Sequence, residues 1–247
     1  MLTKNKISVI IITGNEEKNL RDCLISVKWA DEIIVVDCES KDRTVEIAKE
    51  FTDKVYTHKW QGYAAQKNYA LSLTSNDWVL SLDADERIKK DLAEEIINKD
   101  FSNSDGYYIH RENYFLGKII TGCGWGTDYQ LRLFKKSKTT LSERLVHEKF
   151  NVDGEVDRLK NSIIHYSYTS LADGFNKINH YSTLKAQEKS SKEKATAFKI
   201  IFIPLIAFIQ HYFIRRGIKD GKHGLMVSLM HAVTKLQEYM KIWEIKK

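Results

Sequence analysis

Cysteine, proline and long apolar runs are all scarce in this chain of 247 residues. The three cysteines, Cys23, Cys38 and Cys123, are odd in number and form no C-x-x-C pair. That speaks against a disulfide framework or a cysteine zinc site and fits a reducing compartment. Pro204 is the single proline, and no stretch rich in Pro or Ser marks a linker. The longest apolar run, Ile200–Ile209, is interrupted by Pro204 and falls well short of the roughly 20 residues that span a bilayer. Near the start, Lys4 and Lys6 precede Ile7–Ile12, an apolar run too short for the core of a secretory signal. No internal repeat is evident. Basic residues outnumber acidic ones, 39 to 33, for a net charge of +6. They are scattered and form no Lys/Arg block. An anionic partner such as a nucleotide, a phosphorylated glycan or a membrane surface is expected, and nucleic acid is not.

What is present is an alternation of apolar runs and helical spacings. Ile7–Ile12, Ile33–Val36, Lys54–Thr57 and Trp78–Leu82 read as strands. Leu20, Leu24 and Val27, then Thr44–Phe51, Ala64–Leu73 and Lys89–Ile97, read as helices between and after them. This β-α-β order predicts an α/β fold, an open and mostly parallel sheet with helices on both faces. Farther on, Tyr107–His110, Gln130–Phe134 and Ser162–Tyr166 look like strands, with the glycine-rich stretch Gly117–Gly126 as a loop. From about Ser170 the pattern is helical. Leu225, Leu229, Ala232, Leu236, Tyr239 and Trp243 recur every three to four residues. The expected division is a catalytic domain over 1–169 and a helical region over 170–247.

Polar residues follow the strand runs closely, at the edge where such sheets bind ligands. Thr13-Gly14-Asn15-Glu16-Glu17 ends the first, Asp37 ends the second, and Asp83-Ala84-Asp85-Glu86 ends the fourth. Two carboxylates two residues apart can converge on a hard cation such as Mg²⁺ or Mn²⁺, which keeps positions open for phosphate oxygens. A solvated turn before a helix explains a lone D-x-D equally well. Asn15 and Asp42 also suit helix N-caps.

The ordered set, T-x-N-E-E, then I-I-V-V-D-x-x-S-x-D-x-T, then D-A-D-E, resembles the family 2 glycosyltransferases of GT-A fold. Gln130-Leu131-Arg132-Leu133-Phe134 and Arg144-Leu145-Val146-His147-Glu148 are similar to the branch that includes lipopolysaccharide core β-glucosyltransferases acting on heptose. The likeness covers about residues 5–170. Cys38-Glu39 stands where that family often has a small or glycine-containing pair. The resemblance implies an inverting transfer of a sugar, glucose by expectation, from a UDP-sugar to a glycan or glycolipid acceptor such as lipopolysaccharide inner core. It implies that Thr13, Asn15, Glu16 and Glu17 line the nucleotide pocket and that Asp37 contacts the base. Asp83 would face the ribose or a metal-bound water, and Asp85 would ligate the metal. Lys67 would touch the donor or else be a solvated helix lysine.

Inverting transfer needs one general base at the acceptor hydroxyl. The resemblance puts it in the Val146-His147-Glu148 stretch, at Glu148, with Asp128 as the alternative. Glu148 is otherwise an ion-pair partner of Arg144 or Lys149. Arg132 alternates with Leu131 and Leu133, so it is expected to point away from the core, toward a diphosphate, an anionic acceptor or solvent. His165 is a third metal ligand or a core histidine.

Ile200–Ile209 with Tyr212 and Phe213, followed by Arg215, Arg216, Lys219 and Lys222, sets apolar beside basic residues. That composition suits docking on an anionic bilayer, or packing on the catalytic domain or another subunit in a homo-oligomer. The expected location is cytoplasmic, in solution or peripheral on the inner membrane. Two other readings stand beside the transferase. One is a phosphatase or phosphotransferase using Asp83 as nucleophile, although such D-x-D motifs sit on a first strand. The other is an inactive sugar-nucleotide binder at a membrane surface.

Overall fold

A computed structural model of the chain describes residues 5–141 and 149–247. In chain order the elements are β1 (Ile7–Thr13), α1 (Leu20–Ser26), β2 (Glu32–Asp37), α2 (Thr44–Lys49), β3 (Val55–Thr57), α3 (Tyr63–Ser72), β4 (Trp78–Asp83), β5 (Glu86–Ile88) and α4 (Lys90–Asn98). Then follow β6 (Gly106–Phe115), β7 (Lys118–Ile119), β8 (Tyr129–Lys135), β9 (Thr139–Leu141), β10 (Phe150–Val152) and β11 (Val156–Tyr168). The helices α5 (Leu171–Ser190), α6 (Ala197–Ile209) and α7 (Lys222–Ile245) complete the chain. The main sheet runs β3-β2-β1-β4-β8-β6-β11-β5, with β7 beside β6. The set from β3 to β4 is parallel, and β8 turns antiparallel against β4. The fold class is the α/β arrangement expected from the alternating pattern.

Alternation along buried strands explains why helices cover both faces. On β1, Ile7, Val9 and Ile11 pack with Leu20, Cys23 and Leu24 of α1, Ile47 and Ala48 of α2, and Leu92 and Ile96 of α4. Ile10, one residue out of phase, packs with Ala70 and Leu71 of α3. A period of two sends successive side chains to opposite faces, so a run with no polar partner must be buried twice.

Four short strands, β5, β7, β9 and β10, escaped the sequence reading. Each has two or three residues, too few for periodicity to register, and β7 lies in the stretch Gly117–Gly126 expected to be a loop. β5 matters most, because it begins inside the acidic stretch.

The chain divides into two compact units. One holds residues 1–111 and 129–165, the other residues 112–128 and 166–247. Residues 112–128 thus group with the C-terminal helices, although they fall within the expected span 1–169. In the second unit Phe115, Ile120 and Cys123 pack with Ile178, Val227 and Met230. Asp220 accepts hydrogen bonds from the backbone N–H of Thr121 (3.2 Å) and Gly122 (2.7 Å). Gly122 has no room for a side chain, since a Cβ there would lie 2.4 Å from the carbonyl oxygen of Arg216. Pro204 does not stop α6, which runs on into a π-helical turn over Gln210–Ile214.

Glu32, at the start of β2, supplies a pH test of the first unit. It is buried and accepts from Ser8 and Lys54, and from Ser75 through N–H (2.9 Å) and Oγ (2.8 Å). Burial alone would raise its pKa. The bonds from Lys54, Ser8 and Ser75 outweigh burial and lower it from 4.5 to about 2. A depressed carboxylate pKa gives stability that is complete above its unfolded value and is lost as pH falls through the folded one. Denaturant titrations from pH 5 down to pH 2 should therefore show a steeper loss for the wild type than for Glu32→Gln. Parallel curves would remove Glu32 as the source.

Candidate active site

Parallel register brings three predicted residues to one edge. Thr13 is paired with Asp37 across β1 and β2, and Ile12 with Asp83 across β1 and β4. Thr13, Asp37 and Asp83 therefore stand side by side at the carboxyl ends of adjacent strands. Thr13 Oγ1 is buried and has no hydrogen-bond partner among the described residues. A buried hydroxyl left unsatisfied is rare in folded proteins, and a water, an ion or a ligand atom would satisfy it.

The loops after β1 and β2 are stitched to each other. Asp37, buried, accepts from Ser40 N–H (2.8 Å) and Oγ (2.5 Å). Asn15 N–H donates to Ser40 Oγ (2.7 Å), and Asn15 Oδ1 accepts from Lys41 N–H (2.8 Å). Glu16 N–H donates to Thr44 Oγ1 (2.8 Å), and Glu17 Oε2 accepts from Arg43 N–H (3.2 Å). Asn15 thus braces the neighbouring loop and does not cap α1, which starts after Asn19. Asp42 does bond the start of α2, accepting from Thr44 N–H at 3.0 Å.

Asn15 and Glu39 hold left-handed backbone conformations, with φ of 56° and 59°. Asn tolerates that region, whereas Glu does so at a cost. Glu39 belongs to the Cys38-Glu39 pair that departs from the family pattern. The loops meet closely here, since a Cβ on Gly14 would lie 2.2 Å from Cys38 Sγ.

The acidic stretch is a tight turn between two strands. Asp83 ends β4, Ala84 and Asp85 form the turn, and Glu86 opens β5. β5 pairs antiparallel with β11, placing Glu86 opposite His165. The four residues consequently do different things.

Asp83 accepts from Arg132 at 2.5 Å and faces the Lys67 ammonium at 3.3 Å. Glu86, fully buried, accepts from Arg132 at 2.5 Å, from Arg111 at 3.2 Å and from Asp83 N–H at 3.0 Å. Burial alone would raise the Asp83 pKa, but Arg132 and Lys67 outweigh it and hold the carboxyl well below the usual range. Burial alone would lower the Arg132 pKa, and the two carboxylates outweigh that and raise it. At neutral pH Asp83 is an ionised hydrogen-bond acceptor whose charge Arg132 and Lys67 balance. That suits a hydroxyl donor better than it suits a second metal bond.

Asp85 lies beside a histidine. Its Oδ2 lies 3.6 Å from His165 Nε2, both side chains being largely buried. A carboxylate oxygen beside an imidazole nitrogen is a donor set that suits Mn²⁺ and tolerates Mg²⁺. Among the described residues no cluster of three His, Cys, Asp or Glu side chains could hold a metal. The pair therefore fits a cation whose remaining ligands come from a diphosphate or water.

Two expectations need correction. Arg132 does not face solvent. It is buried along with Leu131 and Leu133, because the register irregularity between β6 and β8 at Tyr107/Tyr108 breaks simple alternation and two carboxylates balance the guanidinium. Lys67 is not a solvated helix lysine, for it is buried and paired with Asp83. Asp128 belongs to the second unit, where Asn113 Nδ2 donates to its carboxylate at 3.0 Å. Glu148, His147 and Arg144 lie outside the described residues. The sequence reading missed Glu86 as an anchor and Arg111 altogether. Glu86 is adjacent to the D-A-D motif, but its partner Arg132 is 46 residues away.

The sequence profile described as glycosyl transferase family 2 matches residues 8–142. That span covers more than half of the chain and contains the edge just described. The chain belongs to glycosyl transferase family 2. This glycosyltransferase is 33% identical to an uncharacterised glycosyltransferase of Rickettsia typhi, across 97% of this chain and 87% of that one. It is 32% identical to the lipopolysaccharide core biosynthesis glycosyltransferase LpsC of Rhizobium meliloti, across 99% and 94%. Among solved structures, S. aureus TarS 1–349 in complex with UDP is similar, with TM-score 0.49 and 16% identity over 98% of this chain and 91% of that one. So is glucosyl-3-phosphoglycerate synthase from Mycobacterium tuberculosis in complex with Mn²⁺, UDP and glucosyl-3-phosphoglycerate. Its TM-score is 0.48 and its identity 15%, over 75% and 79% of the two chains.

Proposed function

We propose that this glycosyltransferase uses a UDP-sugar, UDP-glucose by preference, and transfers the sugar with inversion to a lipopolysaccharide inner-core acceptor. The observation that carries the reading is the row of Thr13, Asp37 and Asp83 on three adjacent strand ends, with Asp85 and His165 beside it. The acceptor class rests on the role in lipopolysaccharide core biosynthesis named for the Rhizobium meliloti relative, which is similar over nearly its whole length. Family membership leaves the phosphatase reading without support. Asp83 is also engaged by Arg132 and Lys67, an arrangement that stabilises its anion and weakens it as a nucleophile.

The parts divide the work. Thr13 Oγ1 and the Asp37 carboxylate bond the nucleoside, and Asp83 accepts from a ribose hydroxyl. Asp85 and His165 would hold Mn²⁺ or Mg²⁺. A bound cation would neutralise charge developing on the departing diphosphate. Arg132 and Lys67 fix the Asp83 carboxylate in place for its bond to the ribose hydroxyl. Glu148 takes the proton from the acceptor hydroxyl, with Asp128 as the alternative base.

Glu148→Gln tests the division. Binding of UDP with Mn²⁺, measured by calorimetry, should stay within about twofold, whereas transfer to a truncated lipopolysaccharide should fall about 100-fold or more, the scale of a lost general base. Retained turnover would exclude Glu148, and Asp128→Asn would be measured next. A screen of UDP-sugars for metal-dependent UDP release tests the donor.

A further inference from the structure

The second unit carries an apolar surface to which the proposed function assigns no role. Helix α6 and the π-helical turn after it form one rod over Ala197–Ile214, long and apolar enough by composition to cross a membrane, yet little of it is buried. Its inner side is accounted for. Ile200 and Ile203 pack against Ala186 of α5 and Tyr239 and Ile242 of α7, while Pro204 and Ala207 are also buried. Its outer side presents Phe198, Ile201, Phe202, Leu205, Ile206 and Ile209, all exposed. The stripe continues through Phe213 and Ile214, 55% and 73% exposed. A solvated helix face of that composition is far from the scattered surface hydrophobes of ordinary proteins.

Charge decides what covers it. Directly beyond the rod, Arg215, Arg216, Lys219 and Lys222 are exposed. The one carboxylate in that stretch, Asp220, is turned inward and bonded to Thr121 and Gly122. At the other end Lys192 and Lys194 are exposed, and Glu193 between them is engaged by Tyr239 and Lys199. Cations thus flank both ends of an apolar stripe. A second copy laid on this face, parallel or antiparallel, would bring like charges together at each end.

We infer that the outer face of α6 docks on an anionic lipid bilayer, lying in the interface with its flanking cations at the headgroups. Crossing the bilayer is disfavoured, because the inner face is packed on helices whose buried Glu238 bonds Lys189 (2.7 Å) and Lys235 (3.0 Å). Those charges would have to enter the hydrocarbon with the rod. An interfacial helix instead buries one apolar face and keeps its cations wet. The inference goes beyond the proposed transfer and does not depend on the donor.

The test is sedimentation of the whole chain, without nucleotide, with vesicles of phosphatidylcholine alone or with about 30% phosphatidylglycerol. Binding should be strong on the anionic vesicles and weak on the neutral ones, and it should fall with salt. Lys219→Gln with Lys222→Gln should lower partitioning about tenfold or more, from the loss of two surface cations. Leu205→Glu with Ile206→Glu should abolish it. Both pairs are exposed, so thermal unfolding should stay near wild type and separates a docking defect from misfolding. Sedimentation of both double variants equal to wild type would overturn the inference. So would absent vesicle binding, including the case of a stable dimer in buffer that Leu205→Glu with Ile206→Glu dissolves, which would assign the face to a second copy. Calorimetric UDP binding, measured on the same samples, reports the donor site separately.

Discussion

Asp85→Ala should lower Mn²⁺-dependent UDP release by about 100- to 1,000-fold, the size expected when several kcal/mol of charge stabilisation at a leaving group are removed. Asp85 is the member of the acidic stretch whose carboxylate lies beside the His165 imidazole. Its removal leaves His165 as the remaining member of the pair, too little to hold a divalent ion against water. Asp83→Asn should behave differently. It keeps the Asp85–His165 pair, so the response to Mn²⁺ should persist while UDP binds more weakly. His165→Ala should raise the Mn²⁺ concentration needed for half-maximal rate. Chelation should silence the wild type, and re-addition of Mn²⁺ should restore it. Full activity of Asp85→Ala at saturating Mn²⁺ would end the metal role of this residue.

Arg132→Met should cost about 3–5 kcal/mol of folding stability, the usual penalty for removing one partner of a buried ion pair. The guanidinium is shared between Asp83 and the fully buried Glu86. Without it, Glu86 retains Arg111 at 3.2 Å and Asp83 retains Lys67 at 3.3 Å, both longer than the bonds lost. For a chain of this size the cost corresponds to a drop in Tm of about 10 °C. Arg132→Lys, which restores one charge at that position, should fall between wild type and Arg132→Met. The Asp83 pKa should rise in Arg132→Met, since Arg132 is the largest influence holding it down against burial. The stability that this carboxylate contributes is complete above its unfolded value and is lost as pH falls. Stability of Arg132→Met should therefore depend less on pH on the acid side. A loss below about 1 kcal/mol in urea unfolding would mean that water or a rearranged lysine replaces the guanidinium.

Much of this was legible along the chain. Ile7–Ile12, Ile33–Val36 and Trp78–Leu82 are apolar runs of strand length, and the segments between them have helical spacing. Strands buried on both faces and joined by helices must be parallel, and parallel strands gather the residues at their carboxyl ends. Thr13, Asp37 and Asp83 share an address for that reason, and local sequence sufficed to place them there. The family assignment rests on the same ordered motifs.

Other features came only with the folded chain. Nothing near Asp83 in sequence says that Arg132 and Lys67 neutralise it, because ion pairs across β4, β8 and α3 obey no local period. The separation of Asp83 from Asp85 depends on β5, three residues long, which turns Glu86 inward and sets Asp85 beside His165 on β11. The fate of the apolar stretch near the C-terminus was equally nonlocal. Composition alone cannot say which side of a helix its neighbours cover. The packing of Ile200 and Ile203 on α5 and α7 leaves Phe202, Leu205 and Ile206 outside. Sequence by itself determined the sheet, its functional edge and the family, since these follow from short-range periodicity and motif order. Tertiary structure alone decided which carboxylates arginine balances, which one lies beside an imidazole and which apolar face stays exposed, since each depends on side chains brought together from distant parts of the chain.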